Sequence, residues 1–156
     1  MSVKKDKDKF GKKVEILNRQ ARYLYEVIEK YTAGIVLKGT EIKSLRMGKA
    51  SIAEGYIFID DGEVWLKNCH ISEYTEGTYN NHDPKRLRKL LLQKKEILKL
   101  KQKLEQKGLT IIPLKIYFNE RGYAKLEIAL ARGKKIHDKR EDIKKKDTIR
   151  ELKNKD

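Results

Sequence analysis

Residues 51–71 read SIAEGYIFIDDGEVWLKNCHI, two runs rich in apolar and β-branched residues that meet at Asp61-Gly62. Asp-Gly between alternating hydrophobics is the strongest short-range signal for a hairpin, because both central residues of a type I′ turn need positive φ. The same logic recurs at 109–131, LTIIPLKIYFNERGYAKLEIALA. There Leu114, Ile116 and Phe118 alternate with polar or amphipathic neighbours, as do Leu126, Ile128 and Leu130, around a turn at Asn119-Glu120-Arg121-Gly122. Upstream, ARYLYEVIEKY (21–31) and AGIVLKG (33–39) read as further β segments broken by Gly34 and Gly39. Together these predict a mainly β fold, a closed antiparallel OB-like barrel of about six strands with helical additions.

Two helices are expected. GTEIKSLRMGK (39–49) reads as a short one, with Thr40 as N-cap, Ile42 and Leu45 on one face and Gly48 as its stop. The longer one runs from Pro84 to about Gly108, with Asp83 as N-cap and proline at the first helical position. Leu87, Leu90, Leu91, Ile97, Leu98 and Leu104 recur along it at helical spacing, and Lys and Arg cover its other face.

Charge is unevenly mounted. The 156 residues carry a formal net charge of +15, and 39% of them are charged. Residues 1–13 hold six Lys against two Asp, residues 84–107 ten Lys or Arg against two Glu, and residues 133–156 ten against six acids. The remaining body is close to neutral, so the excess sits on two ends and one element. A field of this kind attracts polyanions such as RNA, DNA or an acidic membrane face. Three units follow: a flexible basic arm (1–13), a barrel domain (14–132) and a basic tail (133–156). Ile136, Ile143, Ile149 and Leu152 are the tail's only apolar residues, too few to offset the entropy of ordering. The tail is therefore expected to be disordered when free. Acid-before-base pairs such as Glu141–Lys145 and Glu151–Lys155 predict that it gains helix once its cations are neutralised.

Other classes find little support. The N-terminus lacks an apolar h-region, and runs such as GIVL are too short to span a bilayer. Cys69 stands alone, which fits a reducing, cytoplasmic setting and leaves no cysteine-based zinc site. His70, His82 and His137 are scattered, Asp60-Asp61 is ordinary turn chemistry, and no phosphate-cradling loop is present. No catalytic residue, metal or cofactor is expected, and the chain is not read as an enzyme. Arg86, Arg88 and Lys89, at the start of the predicted long helix, are candidates for phosphate contact. The ordinary reading of such a helix is a solvated face, and the two flanking basic arms count against it. The tyrosines and Trp65 are individually more in keeping with packing than with stacking on bases.

Four stretches go further: NRQARYLYEVIEKYTAGIVLKGTEIKSLRMGKASI (18–52), DDGEVWLKN followed after one residue by HI (60–71), HDPKRLRKLLL (82–92) and GKKIHDKREDIK (133–144). In this order they resemble the SsrA-binding protein (SmpB) family, from about Asn18 to Lys144. The resemblance implies an OB-type barrel that binds the tRNA-like domain of transfer-messenger RNA and enters ribosomes stalled without a usable codon. It implies elongation factor Tu as part of the delivery complex, no membrane partner, and a monomer. Peptidyl transfer would belong to the ribosome and the protein's part would be positioning, in keeping with the missing active site.

By the same resemblance, Asn18, Arg19, Arg22, Thr32, Glu41, Lys43, Arg46, Lys49, Arg86, Arg88, Lys89 and Leu91 would form the surface for the tRNA-like domain. Leu91 would act by shaping that surface. At Thr32, many relatives have Glu; a hydroxyl replaces a carboxylate there. Lys134, Lys135, His137, Asp138, Lys139, Arg140, Ile143 and Lys144 would be the ribosome-contacting part of the tail, with His137 near the decoding site and Ile143-Lys144 beginning a helix in the empty mRNA channel. Thr148 stands where relatives often have an aromatic. The competing readings are an OB-fold ribosomal protein or initiation-factor-like ribosome binder, and a metal-dependent nuclease.

Overall fold

The computed structural model describes residues 14–75 and 81–134. The expectations for the N-terminal arm, for Tyr79 and for the tail from Lys135 onward, including Lys135, His137, Asp138, Lys139, Arg140, Ile143, Lys144 and Thr148, lie outside the described residues. In chain order the elements are β1 (Glu15–Leu17), α1 (Ala21–Leu24), β2 (Tyr25–Ile35), α2 (Gly39–Arg46), β3 (Ala50–Ser51), β4 (Tyr56–Asp60), β5 (Glu63–Lys67), β6 (His70–Ile71), β7 (Arg88–Leu91), α3 (Lys94–Leu104), β8 (Leu109–Phe118) and β9 (Ala124–Gly133).

Strands β8, β4, β5, β7, β2 and β9 follow one another by antiparallel pairing, and β9 pairs back onto β8, so the sheet closes into a ring. β1 extends it at the far half of β8, Glu15 opposite Tyr117. β3 and β6 form a separate two-stranded ribbon. Closure removes the free sheet edges that would otherwise invite pairing between chains. Inside the ring lies one apolar cluster that includes Leu45, Ile57, Val64, Leu66, Leu90, Leu100, Ile111, Ile116, Leu126, Ile128 and Leu130. The alternation read from the sequence in β5 and β9 supplies these residues: Val64 and Leu66, then Leu126, Ile128 and Leu130, all point inward and are fully buried.

Both hairpins form where expected. Asp61 and Gly62 adopt φ of 49° and 74°, the double positive φ of a type I′ turn, and β4 pairs with β5 in perfect register across them. β8 pairs with β9 around Asn119–Tyr123, and the ladder slips between Pro113 and Lys115. Proline offers no N–H to a ladder, which is why strand prolines sit at such irregularities.

Several expectations are corrected. The long helix from Pro84 does not form. Pro84 and Lys85 lie in a turn, Arg88–Leu91 is strand β7, and the helix is α3, eleven residues beginning at Lys94. Burial decides this: Arg88 and Leu90 face inward while β7 pairs with both β5 and β2, completing the ring. The helix start is signalled instead by Gln93 and Glu96, whose carboxylate accepts the Gln93 backbone N–H at 3.1 Å. The two β segments at 21–39 are a single strand of eleven residues preceded by the one-turn helix α1. Gly34 does not break that strand. It lies opposite Leu91, and a Cβ there would come within 3.3 Å of the Leu91 Cβ, so glycine permits the close approach of β2 and β7. Thr40 is not the cap of α2; the cap position is Lys38, and the Glu41 carboxylate accepts its N–H at 2.8 Å. Gly48 does end that helix, at φ 72°. Among the described residues no helix is long and apolar enough to cross a membrane.

Candidate nucleic-acid interface

The residues singled out in the sequence fall into separate clusters. Asn18, Arg19 and Arg22 stand around α1, at the first end of β2. The Asn18 backbone N–H donates to Leu114 O at 2.8 Å, and its side-chain Nδ2 donates to Pro113 O at 2.8 Å, so this segment is stitched to β8 at the proline irregularity. Asn18 is buried by this, while Arg19 and Arg22 project into solvent. The root of the tail returns to the same place. Lys134 donates its backbone N–H to Leu24 O at 2.8 Å and its ammonium to Arg22 O at 2.7 Å.

At the other end of β2, Thr32 and Leu91 share the outer face with Lys89: Gly34 faces Leu91, and the neighbouring strand β7 carries Lys89 two residues before it. Leu91 is 54% exposed, flanked by the exposed Val36 and Leu87, so it is a surface residue and not part of a buried helical stripe. Lys89 is paired with Glu63 at 3.1 Å. Thr32 lies opposite Glu127 of β9, whose carboxylate sits 3.5 Å from Lys30 and 3.7 Å from Lys115. A carboxylate is therefore present on the neighbouring strand although residue 32 is neutral.

Between these clusters, α2 and the segment leading into β7 are locked by charge. Glu41 is fully buried and its two oxygens are divided. Oε1 accepts from Arg86 Nη2 at 2.5 Å and from the Lys38 N–H, and Oε2 accepts from Arg88 Nε at 2.6 Å. Arg88 is also fully buried; its remaining donors reach Cys69 O at 2.7 Å, Arg86 O at 3.0 Å and Pro84 O at 3.0 Å. Burial alone would favour the neutral acid at Glu41. The Arg86 hydrogen bond, the Lys38 N–H and the charge and hydrogen bond of Arg88 outweigh it and hold the group below the usual carboxylate range. Arg86 remains partly exposed, and it also reaches the carbonyls of Leu87 and Val36.

Neither Glu41 nor Arg88 exposes surface, and Glu41 ties α2 to both Arg86 and Arg88. Nothing near either residue in sequence announces the pair, because the partners are 47 positions apart.

Two further predicted cations lie over aromatic rings. The Lys43 ammonium lies 5.2 Å from the Tyr74 ring centroid, and the Arg46 guanidinium 4.2 Å from that of Phe118. Lys49 is exposed, and its carbonyl accepts the Ser72 N–H at 3.0 Å. His82, which carried no assigned role, is buried between Thr40 Oγ1 (2.9 Å) and Ile71 O (2.8 Å). Because Ile71 O can only accept, Nε2 carries the proton and donates to it, which leaves Nδ1 to accept from the Thr40 hydroxyl. Cys69 is buried, and burial pushes its thiol up to about 11, an unreactive group. On α3 the exposed Lys94, Lys95 and Lys101 contrast with Lys99 and Lys103, which turn onto Glu29 of β2. Hydrogen bonds from Lys103 and from the Tyr31 hydroxyl hold Glu29 down to about 2. Among the described residues no group of three His, Cys, Asp or Glu is arranged to hold a metal ion.

A closed antiparallel ring around an apolar core, displaying arginine and lysine from its rim and strands, defines a class of small basic β proteins suited to binding a polyanion. Comparison with known proteins narrows the class. The SmpB protein family model matches residues 15–155. An SsrA-binding protein of Saccharopolyspora erythraea is 56% identical over 142 residues, covering 91% of this chain and 89% of the relative. One from Cytophaga hutchinsonii is 59% identical over 141 residues, covering 90% and 92%. A solved structure described as "tmRNA-SmpB: a journey to the center of the bacterial ribosome" superposes with a TM-score of 0.67 at 56% identity, over 78% of this chain and 85% of that one. The chain belongs to the SmpB family.

Proposed function

We propose that this protein binds the tRNA-like domain of transfer-messenger RNA and brings it to stalled ribosomes, where trans-translation releases them and tags the nascent peptide. The observation that carries this reading is the family membership, across nearly the whole chain, of a ring whose exposed cations cluster around α1, α2 and β7. The ring is read as an OB-type barrel spanning 14–132, the protein as a monomeric, cytoplasmic RNA-binding protein without catalysis of its own, and elongation factor Tu as part of the delivery complex.

Within that reading Arg19, Arg22, Lys43, Arg46, Lys49, Arg86 and Lys89 contact RNA, and Asn18, Thr32 and Leu91 shape or complete the surface. Glu41 and Arg88 support it from beneath. The tail from Lys134, with Lys135, His137, Asp138, Lys139, Arg140, Ile143 and Lys144, probes the decoding site and the vacant mRNA channel. Counterion release from phosphates supplies the favourable term there. The arm 1–13 and the tail 133–156 act as cationic appendages of the barrel.

The division of labour is testable by deleting residues 135–156. Affinity for a transcript of the tRNA-like domain should stay within about threefold of the full chain, since no ring residue is lost, while tagging on stalled ribosomes should vanish. A truncated protein that lost both together would end the proposed separation of ring and tail.

A further inference from the structure

The outer face of the β4–β5 hairpin carries three aromatic residues. In its ladder Ile57 pairs with Leu66, and both are buried. Side chains alternate along a strand, so Phe58 and Trp65, which stand opposite one another, turn outward, as does Tyr56 opposite Lys67. Burial agrees: Tyr56 is 38% exposed, and Phe58 and Trp65 are each partly open to solvent. None of the three belongs to either apolar cluster of the protein. The Tyr56 and Phe58 rings lie 6.3 Å apart, and the Trp65 indole N–H has no hydrogen-bond partner among the described residues. Taken singly from the sequence, these residues suit packing; grouped outside both clusters, they form a surface.

The charge around that surface indicates what it meets. Trp65 stands opposite Lys89 of β7, and Lys67 is exposed opposite Tyr56. Lys89 is already part of the candidate RNA surface, so the aromatic face continues that surface onto the next two strands of the sheet. The acids gather at one end only, Asp60, Asp61 and Glu63 at the turn, and Glu63 is paired with Lys89 at 3.1 Å. Lysines beside the rings and carboxylates at the turn would steer a polyanion across the face, with its phosphates kept from the turn.

We infer that this face is a stacking platform for a single-stranded segment of RNA. Tyr56, Phe58 and Trp65 meet the faces of unpaired bases, and Lys67 and Lys89 meet the phosphates between them. Within a duplex the base faces are consumed by the stack, so rings on an open sheet can engage only bases that are unpaired and splayed. Every base has such a face, which makes the platform tolerant of sequence. The assignment rests on the RNA-binding reading given above and adds contact with base faces to its phosphate contacts.

Trp65 is the only tryptophan of the chain, so the fluorescence of the full-length protein reports on this face. A short riboadenylate oligomer should quench it and saturate. Phe58→Ala and Tyr56→Ala should each weaken that binding about tenfold, the effect of one lost stack, and Phe58→Tyr, which keeps a ring, should bind as the native chain does. Lys67→Ala should lower the salt slope of binding by about one. Tyr56 is the most exposed of the three, so its variant decides the matter should Phe58→Ala fail to fold. Inorganic polyphosphate supplies charge without bases and should leave the fluorescence unchanged. Three results overturn the platform: no quenching by the oligomer, equal quenching by polyphosphate, or a concentration-dependent dimer that covers Trp65 in the absence of RNA. Affinity for the tRNA-like transcript, measured in parallel, separates the two readings. A silent Trp65 with transcript affinity retained removes the platform alone, whereas absent transcript affinity removes the RNA reading on which it rests.

Discussion

Glu41 and Arg88 meet at 2.6 Å, Oε2 to Nε, with neither side chain exposed to solvent. The contact ties α2 to β7, and Arg88 extends it by gathering the carbonyls of Cys69, Pro84 and Arg86. Each nitrogen of the guanidinium has a partner, the kind of condition under which a buried ion pair is tolerable. Removing one partner leaves the other charge buried and alone. Glu41→Ala and Arg88→Ala should each lower stability by about 3–5 kcal/mol in urea denaturation. Arg86→Ala, at a partly exposed position, should be much milder. Equal and small losses for all three would show that the buried pair does not bear on stability.

Acid should expose the same contact. Glu41 is held below its ordinary value in the folded protein, so its contribution is fully present above the unfolded carboxylate value of about 4.3 and is lost as pH falls below it. Glu29, held at about 2, acts in the same direction. Denaturant midpoints should therefore drop from pH 5 towards pH 2 in the native protein, and Glu41→Gln should flatten part of that slope. An unchanged slope in the Gln variant would remove Glu41 from the acid response.

Lys89 offers a different kind of test, because its cation is shared with Glu63 at the surface. Lys89→Ala should weaken RNA binding and lower the salt slope by about one, the signature of one lost phosphate contact. Glu63→Gln frees the ammonium and should tighten RNA binding by about 0.2–1 kcal/mol, the worth of an exposed pair. A salt slope unaltered by Lys89→Ala would take β7 out of the interface.

Gly34 controls how Leu91 stands. A methyl group at position 34 would press on the Leu91 Cβ, so Gly34→Ala should cost about 1–3 kcal/mol by overpacking and should displace Leu91. Leu91→Ala, by contrast, removes a half-exposed side chain and should leave thermal stability within about 1 kcal/mol while reducing RNA affinity. Parallel stability losses for the two variants would mean that Leu91 belongs to the core.

What could be read from the chain and what could not divides along the range of the interactions. The Asp61-Gly62 hairpin and the second hairpin were legible because their turn chemistry and two-residue alternation are local. The stretch 84–93 was misread because Leu87, Leu90 and Leu91 fit a helical period as well as a strand. What decides between them is the pairing of this stretch with β5 and β2, which turns Arg88 and Leu90 inward and sets Arg88 against Glu41. The same distance hid Phe118 beneath Arg46, 72 positions away, and Lys134 on α1. Of the candidate interface, the residue types were named from the family motifs, and their grouping in space came from the fold. Which of them are buried was not, because burial of an arginine depends on where its partner folds.

The anchoring of Lys134 on the carbonyls of Arg22 and Leu24 has a geometric consequence. It gives the final segment of the chain a fixed origin beside α1, so reach beyond that point is counted in residues from a known coordinate. Each residue inserted after Lys134 would carry a downstream group up to about 3.5 Å from its former station, whereas a residue added at the Asn119–Tyr123 hairpin would leave that distance untouched. The ring thereby serves the tail as a ruler serves its zero mark.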